Sequence, residues 1–486
     1  MFASPKLAGT GHLVWFAVVV AGLVVSSPAR AQTSPEAAGG GLSERLLEEA
    51  DAISQRLGSV RGLKPLGPIT KGVKDRTQLR ESLIAKIAVE YPKEEILAEQ
   101  AMMVRLGLMR PDQDLESIVL DVLTEEIAGY YDTDVGELYL IDDPDMAAQR
   151  MTMAHELFHA IQDQHYHLNS VQGPKTGLAG TKLNPDRVTA RASLIEGDAV
   201  VVMLDFTLAE QGVLPPGQSV LDQPAMADMV LTQLDLLATS SGALFEGQES
   251  ALERAPRFIQ MELQFPYIAG LSFVRAVREA NGSWADVNAV YLDPPNSTEQ
   301  ILHPERYLDR DEPVLIDLDE APIQAALPGD GWEMFYASVV GEYRTRLWLE
   351  EHLEEGSPIP IPAAAGWDGD RLKGFMRDGH VVAVQVSVWD SAAEAKQYAE
   401  ALVQMSRKRR PGSAPFERSG AHGELVGLGM IPGEELTLVE RWGAWVLYID
   451  GVPVPSDFDL GALRSAVWQG RRAGPYPKTK TGSPSP

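Results

Sequence analysis

His155 and His159 stand four residues apart in the run His155-Glu156-Leu157-Phe158-His159. On an α-helix this spacing puts both imidazoles on one face, with their roots about 6 Å apart. Two imidazoles so placed can hold one zinc ion, and Glu156, beside the first, reaches water next to the metal rather than the metal itself. The chemistry is hydrolysis: zinc polarises a carbonyl and acidifies water, while Glu156 takes the proton and returns it to the leaving amine. Leu157, Phe158, Ala160 and Ile161 are apolar, so the helix is expected to be buried. Buried His and Glu are costly unless a metal or a partner satisfies them, which argues against a chance alignment on an ordinary amphipathic helix.

A catalytic zinc takes three protein ligands and keeps one position open. The chain has no cysteine, so the third ligand must be a His or a carboxylate. His165 follows His159 by six residues, but Gln162 stands where a glycine would be needed to turn the chain back. Asp163 shares the right face yet lies a further turn down the helix. Glu196, in Ser193-Leu194-Ile195-Glu196-Gly197-Asp198-Ala199, is an acid within an otherwise apolar helical stretch. Gly197 costs about 1 kcal/mol relative to Ala inside a helix, and makes sense where another helix or a metal site comes close. Glu196 is therefore the favoured third ligand. An oxyanion formed during hydrolysis needs a donor, for which Tyr267, His303 and Tyr307 are candidates, although residues of these types more often serve packing or capping.

These residues need elements to position them. Periodicity predicts helices from Leu42, over Arg76 to Leu106 with a break at Pro92, and over Leu115 to Ala128. Gly129 to Ile141 reads as a hairpin around an Asp/Gly turn. Asp132, Asp134 and Glu137 lack the spacing of a calcium loop. The HELFH helix is expected over Ala147 to Gln164. Asn184-Pro185 supplies a cap and first-turn proline for a helix to Gln211. The stretch from Asp293 to Glu312 reads as irregular, and a last helix is expected over Trp332 to His352.

The residues from Thr124 to Met203 resemble the gluzincin branch of zincin metallopeptidases, which pair HExxH with a Glu on a following helix. They are also similar to bacterial secreted proteins with a predicted protease fold. The resemblance implies zinc as cofactor, His155, His159 and Glu196 as ligands, Glu156 as general base, and a peptide or protein substrate. It further implies that the strand before the helix forms a sheet edge that pairs with substrate backbone. Val200 departs from the pattern, since many gluzincins carry there an Asp that orients a His; the nearest acid is Asp198.

The expected architecture is α+β: a mostly helical zincin-like domain with a small edge-strand sheet over residues 42–355, a linker over 356–366, and a small α+β domain over 367–471. Residues 1–31 read as a signal peptide, with an apolar run from Leu13 to Val25 too short to span a bilayer and Ala29-Arg30-Ala31 as the cleavage site. Residues 32–41 read as a flexible leader and 472–486 as a disordered tail. An exported, periplasmic or extracellular protein without stable membrane insertion is expected. The net charge of −27 repels nucleic acid. The alternative function is a non-catalytic exported binding protein on the same scaffold.

Overall fold

A computed structural model of the chain describes residues 41–141, 146–173, 184–215, 217–239, 250–420, 423–429 and 433–475. The expected signal segment, nearly all of the leader, and the tail beyond residue 475 lie outside the described residues.

The chain is α+β. Strands β1 (Thr70–Lys74), β2 (Gly129–Asp132) and β3 (Glu137–Ile141) form a small sheet in the order β1-β3-β2. β2 and β3 are the expected hairpin, paired antiparallel from Gly129 opposite Leu140 to Asp132 opposite Glu137. β1 joins β3 in parallel, so β3 is central and β2 alone of the hairpin is an edge. At the turn, the Lys86 ammonium lies 2.9 Å from Asp132 and 3.1 Å from Asp134, so a lysine bridges these two acids.

Three long helices follow in layers: Met146–Tyr166, with the HELFH run, packs on this sheet and against Pro185–Glu210, with Glu196, which in turn crosses Arg257–Asn281. Asn184 caps the second, accepting from the Arg187 backbone, with Pro185 in the first turn as expected. The predicted helix from Arg76 divides at Pro92 into Arg76–Glu90 and Lys93–Leu106. Asp293 to Glu312 is more regular than expected, with short helices at Thr298–Leu302 and Pro304–Asp309.

Strands β5 (Glu333–Ser338), β6 (Trp367–Arg377), β7 (His380–Trp389), β8 (Pro415–Gly420), β9 (Gly423–Leu428), β10 (Glu435–Trp442) and β11 (Trp445–Pro453) form one antiparallel sheet. Its order is β5-β6-β7-β11-β10-β9-β8. β7 is buried on both faces: Val382, Val384, Val386 and Val388 pack with Leu463 and Val467 of the helix Leu460–Gly470. Gln385, on its other face, accepts from Tyr398 of the helix Ala392–Arg409 at 2.9 Å. β4 (Val314–Leu318) pairs with β12 (Arg471–Pro475).

Two expectations are corrected here. Trp332 to His352 is not one helix: Glu333–Ser338 pairs with β6, and helix begins only at Gly341, after the chain turns. The stretch 356–366 is not a free linker, because Pro360–Ala364 forms a helical turn that buries Pro360, Ala363 and Ala364. The sheet thus recruits β5 from before the expected boundary at 367.

Candidate metal centre

Leu157, Phe158 and Ile161 anchor the HELFH helix in a buried cluster with Leu138 and Leu140 of β3 and with Val202 and Phe206 of the Glu196 helix. This packing turns His155 and His159 toward Glu196. The Glu196 helix is itself fixed by its crossing with Arg257–Asn281. A Cβ on Gly197 would lie 2.1 Å from the Gly270 carbonyl carbon, and one on Gly270 would lie 2.0 Å from the Ser193 oxygen. Two glycines therefore let the two backbones touch beside Glu196.

The three expected ligands converge. His155 Nε2 lies 2.9 Å from His159 Nε2 and 3.1 Å from Glu196 Oε2, and His159 Nε2 lies 3.3 Å from the same oxygen. Tetrahedral zinc with bonds near 2.1 Å holds its ligand atoms roughly 3.3 Å apart, so the donor set and spacing fit such an ion. Among the described residues this is the one group of three or more His or acid side chains close enough to share a metal.

The protonation pattern supports the fit. Gln162 Nε2 donates to the Ile195 carbonyl at 3.0 Å and to the Tyr291 hydroxyl at 2.7 Å. Its Oε1 therefore accepts from His159 Nδ1 at 2.8 Å. Neutral His159 is thus held as the Nδ1–H tautomer, with its Nε2 lone pair facing His155 and Glu196. The chain of bonds continues, since Tyr291 donates to Asp198 Oδ2 at 2.9 Å. Asp198 receives a two-point pair from Arg61 at 2.7 and 3.1 Å. Asp198 therefore supports His159 at two removes. His155 Nδ1 is buried and has no hydrogen-bond partner among the described residues, in keeping with Val200 standing where many gluzincins carry an orienting acid.

Three converging lone-pair atoms call for a positive charge among them. Burial opposes charge on His159, yet the Glu196 carboxylate holds its pKa above the ordinary imidazole value. Burial and then the charge on His159 keep His155 below it. Burial works to raise Glu196, and His159 outweighs it and holds the carboxyl low.

Glu156 lies outside the triad. Its Oε2 accepts from the Tyr131 backbone N–H of β2 at 2.8 Å, and burial pushes its carboxyl up to about 8. The edge strand thus meets the expected base directly. His155, Glu156, His159 and Glu196 are 1 %, 2 %, 5 % and 2 % exposed, so the centre is closed.

The rejected ligands are engaged elsewhere. His165 Nε2 donates to the Lys64 carbonyl at 2.8 Å. Asp163 accepts from Leu168 N at 2.8 Å and from the Tyr131 hydroxyl at 3.0 Å. Of the three oxyanion candidates, Tyr267 is brought to the site, with its ring centroid 6.0 Å from that of His155. Burial, then Glu196 and Glu156, push its hydroxyl well above the usual phenol range. His303 instead pairs with Glu342 at 2.9 Å, and the Tyr307 hydroxyl donates to the Asp293 carbonyl at 2.8 Å. Sequence reasoning missed Gln162, Tyr291 and Arg61. Gln162 alone gave a local signal, as a polar residue one turn beyond His159 on a buried helix.

Residues 333–461 match a family described as "Domain of unknown function (DUF8575)". No curated protein and no solved structure matches the chain. The match begins at β5, runs through the seven-stranded sheet, and includes none of His155, Glu156, His159 and Glu196.

Proposed function

We propose that this chain is an exported zinc-dependent metallopeptidase with His155, His159 and Glu196 as ligands and Glu156 as general base. The observation that carries the reading is the convergence of His155 Nε2, His159 Nε2 and Glu196 Oε2 to within 3.3 Å, with Glu156 adjoining on the same helix. Lewis-acid chemistry, the polarisation of a carbonyl and the acidification of water, is what zinc supplies when bound. Glu156 is held by one oxygen to Tyr131 N, which leaves Oε1 to take up a proton from water and return it to a leaving amine. A buried carboxyl with raised affinity for protons suits both halves of that task. Tyr267, whose ring centroid lies 6.0 Å from that of His155, is the candidate donor toward an oxyanion. The gluzincin resemblance and the apolar run from Leu13 to Val25 add the peptide substrate and the export.

The closure of the site favours a second reading, in which the centre stabilises a non-catalytic exported binding protein. A peptide must reach Glu156, and Glu156 is 2 % exposed, so catalysis requires the chain to open. Glu156→Gln separates the two readings. Under the first, the variant keeps its metal and loses hydrolysis of a casein or peptide-library substrate. Equal hydrolysis by variant and wild type would overturn the assignment of the base.

A further inference from the structure

Away from the metal centre, a cavity of about 390 Å³ opens where the helix Lys93–Leu106 meets the seven-stranded sheet. Arg105, His380, Arg409, Arg410 and Glu435 line it, with Ala101, Val104 and Val381 as an apolar wall. Behind the arginines lies Asp450, whose side chain is fully buried. Arg105 Nε lies 3.0 Å from Asp450 Oδ2, Arg410 Nη2 3.0 Å from Oδ1, and Arg409 Nη1 3.4 Å from Oδ2. Arg105 and Arg410 also share Glu435 Oε2, at 2.6 and 2.8 Å.

Three guanidinium groups face two carboxylates, which leaves one positive charge in excess in a chain whose net charge is −27. The excess is accessible. Arg105 and Arg410 are 14 % and 20 % exposed, and the Nη1 group of each makes no hydrogen bond among the described residues. The arrangement is also built into the backbone. Gly451 has φ +91°, and a Cβ there would lie 2.5 Å from the Arg105 guanidinium carbon. His380 donates Nε2–H to the Gly451 carbonyl at 2.7 Å. Structural ion clusters are generally closed and balanced, because an unpaired buried charge is costly; this one is open and cationic.

The structure assigns this cavity as a binding site for a small organic anion, whose carboxylate or phosphate head is gripped by Arg105 and Arg410 while its apolar body lies along Val104 and Val381. Arginine forks match both head groups bidentately. The volume falls within the range of about 300–1,000 Å³ typical of small-molecule sites and exceeds what a bare phosphate needs. Most of the lining belongs to the stretch 333–461, and Arg105 comes from the helical part, so the ligand would bridge the two. The inference is independent of the metal centre.

Thermal shift and calorimetric titration of the full-length chain at low salt test it with phenyl phosphate, phenylacetate, inorganic phosphate and benzyl alcohol. Phenyl phosphate or phenylacetate is expected to bind and raise Tm, with whichever is tighter identifying the head group, while neutral benzyl alcohol has no effect. Arg410→Gln is expected to weaken binding at least tenfold. Glu435→Gln, which removes a carboxylate from the rim, should tighten it several-fold, an effect a purely structural cluster would not show. Absence of anion binding in both wild type and Glu435→Gln, or equal binding by Arg410→Gln, would overturn the assignment.

Discussion

Gln162 accepts a hydrogen bond from His159, its Oε1 2.8 Å from the Nδ1 nitrogen. One amide, held by the Ile195 carbonyl and the Tyr291 hydroxyl, thereby decides which nitrogen of His159 faces Glu196. Gln162→Leu preserves volume and removes that control. Its zinc affinity, measured by competition with a chromogenic chelator, is expected to fall roughly 10- to 100-fold, the usual effect of losing a partner behind a metal-bound His. Unchanged affinity would show that His159 needs no such support.

The crossing at Gly197 and Gly270 makes a second expectation. Gly270→Ala forces a methyl to within 2.0 Å of the Ser193 carbonyl oxygen. Backbone cannot yield as a side chain tip can, so the cost should reach about 3 kcal/mol, the upper end for overpacking. Urea unfolding reads this directly. A change within roughly 0.5 kcal/mol of zero, as at an ordinary surface site, would mean that the helices are not in backbone contact there.

His352 makes stability depend on pH. Burial holds its imidazole down at about 4, while its Nε2 donates to the Leu106 carbonyl at 2.8 Å. The folded state resists a proton that the unfolded chain accepts near 6.5. The contribution is therefore complete above pH 6.5 and is lost as pH falls toward 4, by up to about 3 kcal/mol at roughly 1.4 kcal/mol per pKa unit. His352→Gln can keep the donor without titrating, and should flatten the stability profile between pH 6.5 and 4. An identical slope in wild type and variant would remove His352 as its source.

The local parts of the centre were legible because they obey helical spacing. His155, Glu156 and His159 are neighbours in one turn, and Glu196 stood out as an acid among hydrophobes beside a costly glycine. The supports were not legible, because they come from far along the chain. Arg61 reaches Asp198 across 137 positions and Tyr291 across 93. Gln162 lies on the motif's own helix, yet its bond to His159 is oriented by Ile195 and Tyr291, which are distant in sequence. The same limit explains Trp332 to Ser338, where Met334, Phe335 and Tyr336 suit helix or strand alike. Pairing with β6, more than thirty residues ahead, decides for strand. β1 likewise gains its place only by parallel pairing with β3.

Metal content of the purified full-length chain tests the central claim most directly. After equilibration with zinc and removal of excess, elemental analysis should find about one zinc per chain, as a three-ligand site requires. The paired substitution His159→Ala with Glu196→Ala should find none. A wild-type chain that retains no zinc, or a doubly substituted chain that retains as much as wild type, would contradict the account.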